Sequence, residues 1–190
     1  QRATALHAVA SFAHRSASCA QRARAAERAA ACASALIARG ADVHAFSGVF
    51  VAGGATPLHA ASKAGAARVL AVLLASGADA NALTKGGRLA ALTLAVQRGH
   101  CECVGALIAG GARLALRDRA GNNALHIAAH RADVATLRIV VRTRAPGAPP
   151  SLGDAPVGAT AEVEAEALTM SALASQPNAS RDTPLHLAAW

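Results

Sequence analysis

Thr183-Pro184-Leu185-His186-Leu187-Ala188-Ala189 lies near the C-terminal end of a chain of 190 residues, and close copies of it stand upstream. They are Thr4-Ala5-Leu6-His7-Ala8-Val9-Ala10, Thr56-Pro57-Leu58-His59-Ala60-Ala61-Ser62 and Asn123-Ala124-Leu125-His126-Ile127-Ala128-Ala129, with a degenerate Ala90-Ala91-Leu92-Thr93-Leu94-Ala95-Val96 between the last two. From position 56 to 90 is 34 residues and from 90 to 123 is 33. A period of that length indicates stacked helical hairpins.

A second pattern recurs within the period. Val69, Leu70, Leu73, Leu74, Gly77 and Ala78 are matched by Cys103, Val104, Leu107, Ile108, Gly111 and Ala112. Apolar residues at i, i+1, i+4 and i+5 form one face of a helix. Thr56-Pro57 and Thr183-Pro184 read as helix starts, because threonine caps a helix and proline at its first position loses no needed donor. Leu58, Leu125 and Leu185 are then expected to anchor the core, and Gly77 and Gly111 to end the second helix in the left-handed region.

The chain thus resembles the ankyrin repeat family, which shares the Thr-Pro-Leu-His-Leu-Ala-Ala start and a Gly-Ala-Asp such as Gly77-Ala78-Asp79 or Gly40-Ala41-Asp42. The resemblance implies an all-α solenoid of about four helix-turn-helix units and a truncated fifth, read as one domain over residues 1–190. The units are expected near 1–50, 51–84, 85–117, 118–180 and 181–190, with incomplete terminal units that mark a piece of a longer chain. It also implies that His7, His59, His126 and His186 are structural, bonding within and between adjacent units.

Two intervals exceed one period: 52 residues from Thr4 to Thr56 and 60 from Asn123 to Thr183. The first excess, around Cys19 to Ala30, consists of strong helix formers and reads as an N-terminal extension of the second helix. The second, 144–176, is rich in Pro, Gly and Ala before Glu162, Glu164 and Glu166. It reads as a flexible insertion with one short helix, either a solvated linker or a partner-binding element.

Fifty-three per cent hydrophobic content with 2% aromatics suits a core of Ala, Leu and Val. No apolar run is long enough to span a bilayer. Cys101 and Cys103 lie about 200 degrees apart around a helix and are not expected to share a metal ion. Unpaired cysteines in this fold favour a reducing compartment, hence an intracellular, cytoplasmic or nuclear location. No nucleophile elbow or phosphate-binding glycine loop is present, so no enzyme activity, cofactor or metal is expected.

Binding remains, and charge is its guide: 19 Lys plus Arg against 11 Asp plus Glu give +8. Arginine outnumbers lysine 17 to 2, a ratio that mutational bias also produces. The resemblance implies a concave recognition face made of hairpin tips and of residues that follow each Leu-Ala-Ala. Those positions hold Lys63, Lys85, Arg88, Gln97, Arg98, Arg117, Arg119, Asn122, His130, Arg131 and Arg181, a basic strip for an acidic protein partner. Phe12, Phe46, Phe50 and Trp190 are too few to stack bases, which weighs against nucleic acid. Phe46, Val49, Phe50 and Val51 are either an apolar anchor beside the strip or packing under the long first hairpin. The expected function is a non-enzymatic interaction module. The alternatives are a substrate-recruiting array of a larger enzyme, such as a kinase or ubiquitin ligase, and a nucleic-acid or anionic-lipid binder.

Overall fold

Thr56 stands in extended conformation before Pro57, and from there the chain turns into a helix that ends at Gly65, whose φ of +71° breaks the spiral. That local event recurs along a computed structural model that describes residues 4–12, 19–47, 54–86, 88–143 and 174–189. The insertion read at 144–176 falls almost wholly outside the described residues, as do Val49, Phe50, Val51 and Trp190.

The helices are α1 (Ala5–Phe12), α2 (Cys19–Ala38), α3 (Pro57–Ala64), α4 (Ala67–Ala75), α5 (Ala91–Arg98), α6 (Cys101–Ala109), α7 (Ala124–His130), α8 (Val134–Thr143) and α9 (Pro184–Ala188). Packing sorts them into two rows. α1, α3, α5, α7 and α9 touch in that order, and α2, α4, α6 and α8 form the second row against them. The result is an all-α repeat solenoid, in which each unit buries its apolar face against its neighbours.

α2 is 20 residues long where α4 and α6 have nine, so the first interval's excess lengthens this helix at its N-terminal end. Glu27 on the extension pairs with Arg68 of α4 at 2.9 Å and ties the added turns to the stack.

The core is aliphatic. Leu58, Leu70, Leu73, Leu92, Leu107 and Leu114 are essentially inaccessible, as are Ala61, Ala91, Ala95 and Ala128, whose small side chains let helices approach closely. Leu125 is buried too, at 5% exposure. Leu185 does not anchor the core: it is 79% exposed. Its helix packs on α7, and among the described residues no helix lies on its other side, whereas α5 covers Leu58 and α9 covers Leu125. The second helices α4 and α6 are followed by Gly77 and Gly111 at φ +85° and +84°, which glycine adopts without strain.

Candidate functional site

Each first helix after α1 is entered through a turn whose ends pair by backbone hydrogen bonds. Ser47 and Ala55 exchange two, Thr84 N donates to Leu89 O, Asp118 N to Asn122 O, and Asn178 N to Asp182 O. Neighbouring turns are joined as well, through Lys85 N to Gly54 O and Ala179 N to Ala120 O. Asp118 Oδ1 accepts from the amides of Ala120 and Asn122, and Asn178 Oδ1 from those of Ser180 and Asp182. The carboxylate of Asp118 is therefore committed to its own turn.

Two residues before each helix start the backbone is left-handed. Gly54 and Gly121 hold that place with φ +81° and +76°, but Arg88 and Arg181 hold it with +52° and +69°. A non-glycine residue there costs roughly 1–2 kcal/mol. Two units thus keep a strained arginine at a position that others give to glycine.

The motif histidines link one unit to the next. His59 Nδ1 accepts from the Thr56 amide at 3.2 Å and from its hydroxyl at 2.7 Å. That leaves Nε2 protonated, and it donates to the carbonyls of Ala82 and Leu89, each at 3.1 Å. His7 repeats the arrangement with Thr4 at 2.7 Å and the Ala55 carbonyl at 2.8 Å. Burial lowers the pKa of His7 and lowers that of His59 to about 4, so both rings are neutral at pH 7. His126 differs. Its Nδ1 lies 2.7 Å from Asn123 Oδ1, which also accepts from the His126 amide at 3.1 Å. An amide oxygen only accepts, so the 2.7 Å contact is satisfied when Nδ1 carries the proton, at the expense of the longer 3.4 Å bond that the Asn123 amide otherwise donates to Nδ1; Nε2 is then left bare. That Nε2 faces the backbone carbonyls of Gln176 and Asp182, and among the described residues neither it nor Asn123 Nδ2 meets a partner in full hydrogen-bond geometry.

Residues 58–148 match the model of a family described as ankyrin repeats in three copies. The chain carries ankyrin repeats. No curated protein matches it. Ankyrin repeats are generally protein–protein interaction modules, and no helix among the described residues is long and apolar enough to cross a membrane.

The residues expected on the strip of this ankyrin array differ in what they do. Lys85, Arg88, Gln97, Arg98, Arg119, His130 and Arg181 have exposed side chains. Lys85 Nζ sits 4.5 Å above the half-buried Phe46 ring, which makes Phe46 a support for a tip lysine. Arg117, Asn122 and Arg131 instead brace the stack. Arg117 donates from Nη1 to Pro177 O at 2.9 Å and from Nη2 to Gln176 Oε1 at 2.7 Å. Asn122 Oδ1 accepts from Asn178 Nδ2 at 3.0 Å, and Arg131 Nη1 donates to Gln97 O at 2.7 Å. Lys63 is half-buried, and its carbonyl lies 3.3 Å from His100 Nε2. Sequence offsets place a residue on a face but do not say whether the next unit supplies it with an acceptor. Among the described residues His186 bonds only within its own turn, through Nδ1 with the Thr183 hydroxyl at 2.8 Å.

Arg88, Arg117, Asp118, Arg119, Gly121, Asn178 and Ala179 line one open cavity of about 550 Å³ at the tips. A second, mostly apolar groove of about 560 Å³ runs between α1 and α2, lined by Ala8, Val9, Ala25 and Ala29 with Arg24, Arg28 and Cys32 at its edge. Cys103 is fully buried, and burial, reinforced by Glu102, pushes its thiol up to about 12. Cys101 points away from it, with Sγ 3.7 Å from Thr136 Oγ1. Among the described residues no group of three His, Cys, Asp or Glu side chains is placed to hold a metal ion.

Proposed function

We propose that this array is a non-enzymatic adaptor that binds an acidic protein surface through its hairpin tips and the adjoining ends of the first helices. One observation carries the reading: Arg88 and Arg98 of one unit and Arg119 of the next are exposed, while Asp118 beside them is held in its own turn, its Oδ1 accepting from two backbone amides. Net positive charge along one edge raises the association rate of an acidic partner and is screened by salt. Arg117, Asn122 and Arg131 hold the frame that presents these side chains. The residues fit a single array of four units and the start of a fifth. The thiols of Cys32, Cys101 and Cys103 are unpaired, which agrees with a reducing compartment, cytoplasmic or nuclear.

The experiment is a fluorescence-anisotropy titration of a fluorescein-labelled, glutamate-rich peptide with the parent chain and with Arg88→Glu/Arg98→Glu/Arg119→Glu. Loss of binding with unchanged helical circular dichroism supports the reading. Equal affinity of the two proteins overturns it.

A further inference from the structure

We propose that the cavity at the hairpin tips is a receptor for a single dianionic phosphoryl group displayed on a partner's loop, with Arg88 and Arg119 as its ligands and Arg117 as a fixed third charge. This deepens the adaptor reading and rests on it, since it names the chemistry that one part of the acidic partner would present.

Four observations converge on the cavity. Its lining residues include three arginines, Arg88, Arg117 and Arg119, against one aspartate, Asp118, so three minus one leaves a net two positive charges on the residues around a cavity of about 550 Å³. A phosphoryl group on a peptide carries close to two negative charges at neutral pH and offers three acceptor oxygens, and planar guanidinium forks match those oxygens two at a time. Second, Arg117 cannot swing away, because Pro177 O and Gln176 Oε1 hold both terminal nitrogens. Third, Asp118 is fixed in its turn, with Oδ1 accepting from the amides of Ala120 and Asn122, so its single charge is the one already set against the three arginines.

The fourth observation is independent of charge. Arg88 occupies the left-handed position that Gly54 and Gly121 occupy in their own units. Glycine would relieve the backbone there, so stability does not account for arginine. At Arg88 the strained residue also lines the cavity, and that coincidence supports a use for its side chain. Arg181 repeats the pattern two turns further on, outside the cavity lining. Ala132, at φ +50° in the turn between α7 and α8, is strained without bearing a charge and lies outside the cavity lining, which makes it the internal control.

The test uses the full 190-residue chain and three fluorescein-labelled peptides, identical except for phosphoserine, glutamate or serine at the central position. The parent chain is expected to bind the phosphoserine peptide at least about tenfold more tightly than the glutamate peptide and the serine peptide still more weakly. Arg88→Gly is expected to raise the melting temperature by about 2–4 °C and to weaken the phosphoserine peptide about tenfold. Ala132→Gly is expected to raise the melting temperature similarly with affinity unchanged. Equal binding of phosphoserine and glutamate peptides overturns the phosphoryl assignment and leaves the acidic-surface reading standing. Unchanged affinity of Arg88→Gly overturns the role of Arg88. Failure of the phosphoserine peptide to bind, while the glutamate-rich peptide above does, overturns the cavity as a receptor. Failure of both overturns the adaptor reading with it.

Discussion

His59 Nε2 of α3 lies 3.1 Å from the carbonyl oxygen of Leu89, thirty residues further along the chain and at the entrance to α5. One proton therefore joins the start of one unit to the start of the next, and a second acceptor at the same distance, Ala82 O, comes from the intervening turn.

Replacing this ring removes the donor but leaves two carbonyls in a part-buried site. His59→Ala is expected to lower the unfolding free energy by about 2–4 kcal/mol, the lost packing added to unsatisfied acceptors. Urea denaturation followed by circular dichroism measures it. A loss under about 0.5 kcal/mol would mean that water replaces the ring without penalty.

Acid should loosen the stack. Burial depresses the pKa of His7, His59 and His126 below 6.5 in the folded chain. The unfolded chain takes up these protons near 6.5 and the folded chain does not, so the stabilisation is complete above pH 6.5 and is lost as pH falls toward 4. His59 alone, with a folded value of about 4, contributes roughly 3 kcal/mol to that loss. The denaturation midpoint should fall steadily from pH 7 to pH 4.5, and a flat profile over that range would contradict neutral buried rings.

Asn123 offers an opposite test. Threonine at this place in three other units presents a hydroxyl to histidine Nδ1, whereas Asn123 presents Oδ1 at 2.7 Å, which favours the proton on Nδ1 and strands Nε2. Asn123→Thr is expected to stabilise the array by about 0.5–1.5 kcal/mol, as Nε2 becomes a donor to the carbonyl of Asp182. Nitrogen-15 shifts of the His126 ring report the tautomer directly, and they should exchange Nδ1–H for Nε2–H.

Leu58 and Leu185 share a motif position but not an environment. Leu58→Ala should cost about 2–5 kcal/mol as a buried large-to-small change. Leu185→Ala should cost less than about 0.5 kcal/mol. Similar losses at both positions would show that α9 is packed on two sides.

Much of this architecture is legible in the sequence. The period, the Thr-Pro helix starts, the Gly77 and Gly111 turns and the lengthened helix around Cys19 to Ala30 all arise from local preferences repeated at fixed offsets. What local patterns do not carry is the partner of a long side chain. Arg117 and Arg119 are near neighbours in one turn, yet Arg117 is bound to Pro177 and Gln176, about sixty positions away, and Arg119 is exposed. The exposure of Leu185 is of the same kind, since burial in a stack depends on the following unit. A signal that was available is the alignment of Gly54, Arg88, Gly121 and Arg181 two residues before each helix start. It marks two arginines as occupants of a glycine position before any coordinate is known.

The central claim, that the arginine-bearing hairpin tips form the binding face, is tested most directly by amide hydrogen exchange of the chain with and without the glutamate-rich peptide. The account predicts slowed exchange in residues 84–90 and 117–123, with the outer helices α4 and α6 unchanged. Protection confined to α4 and α6, with the tips exchanging as before, would contradict it.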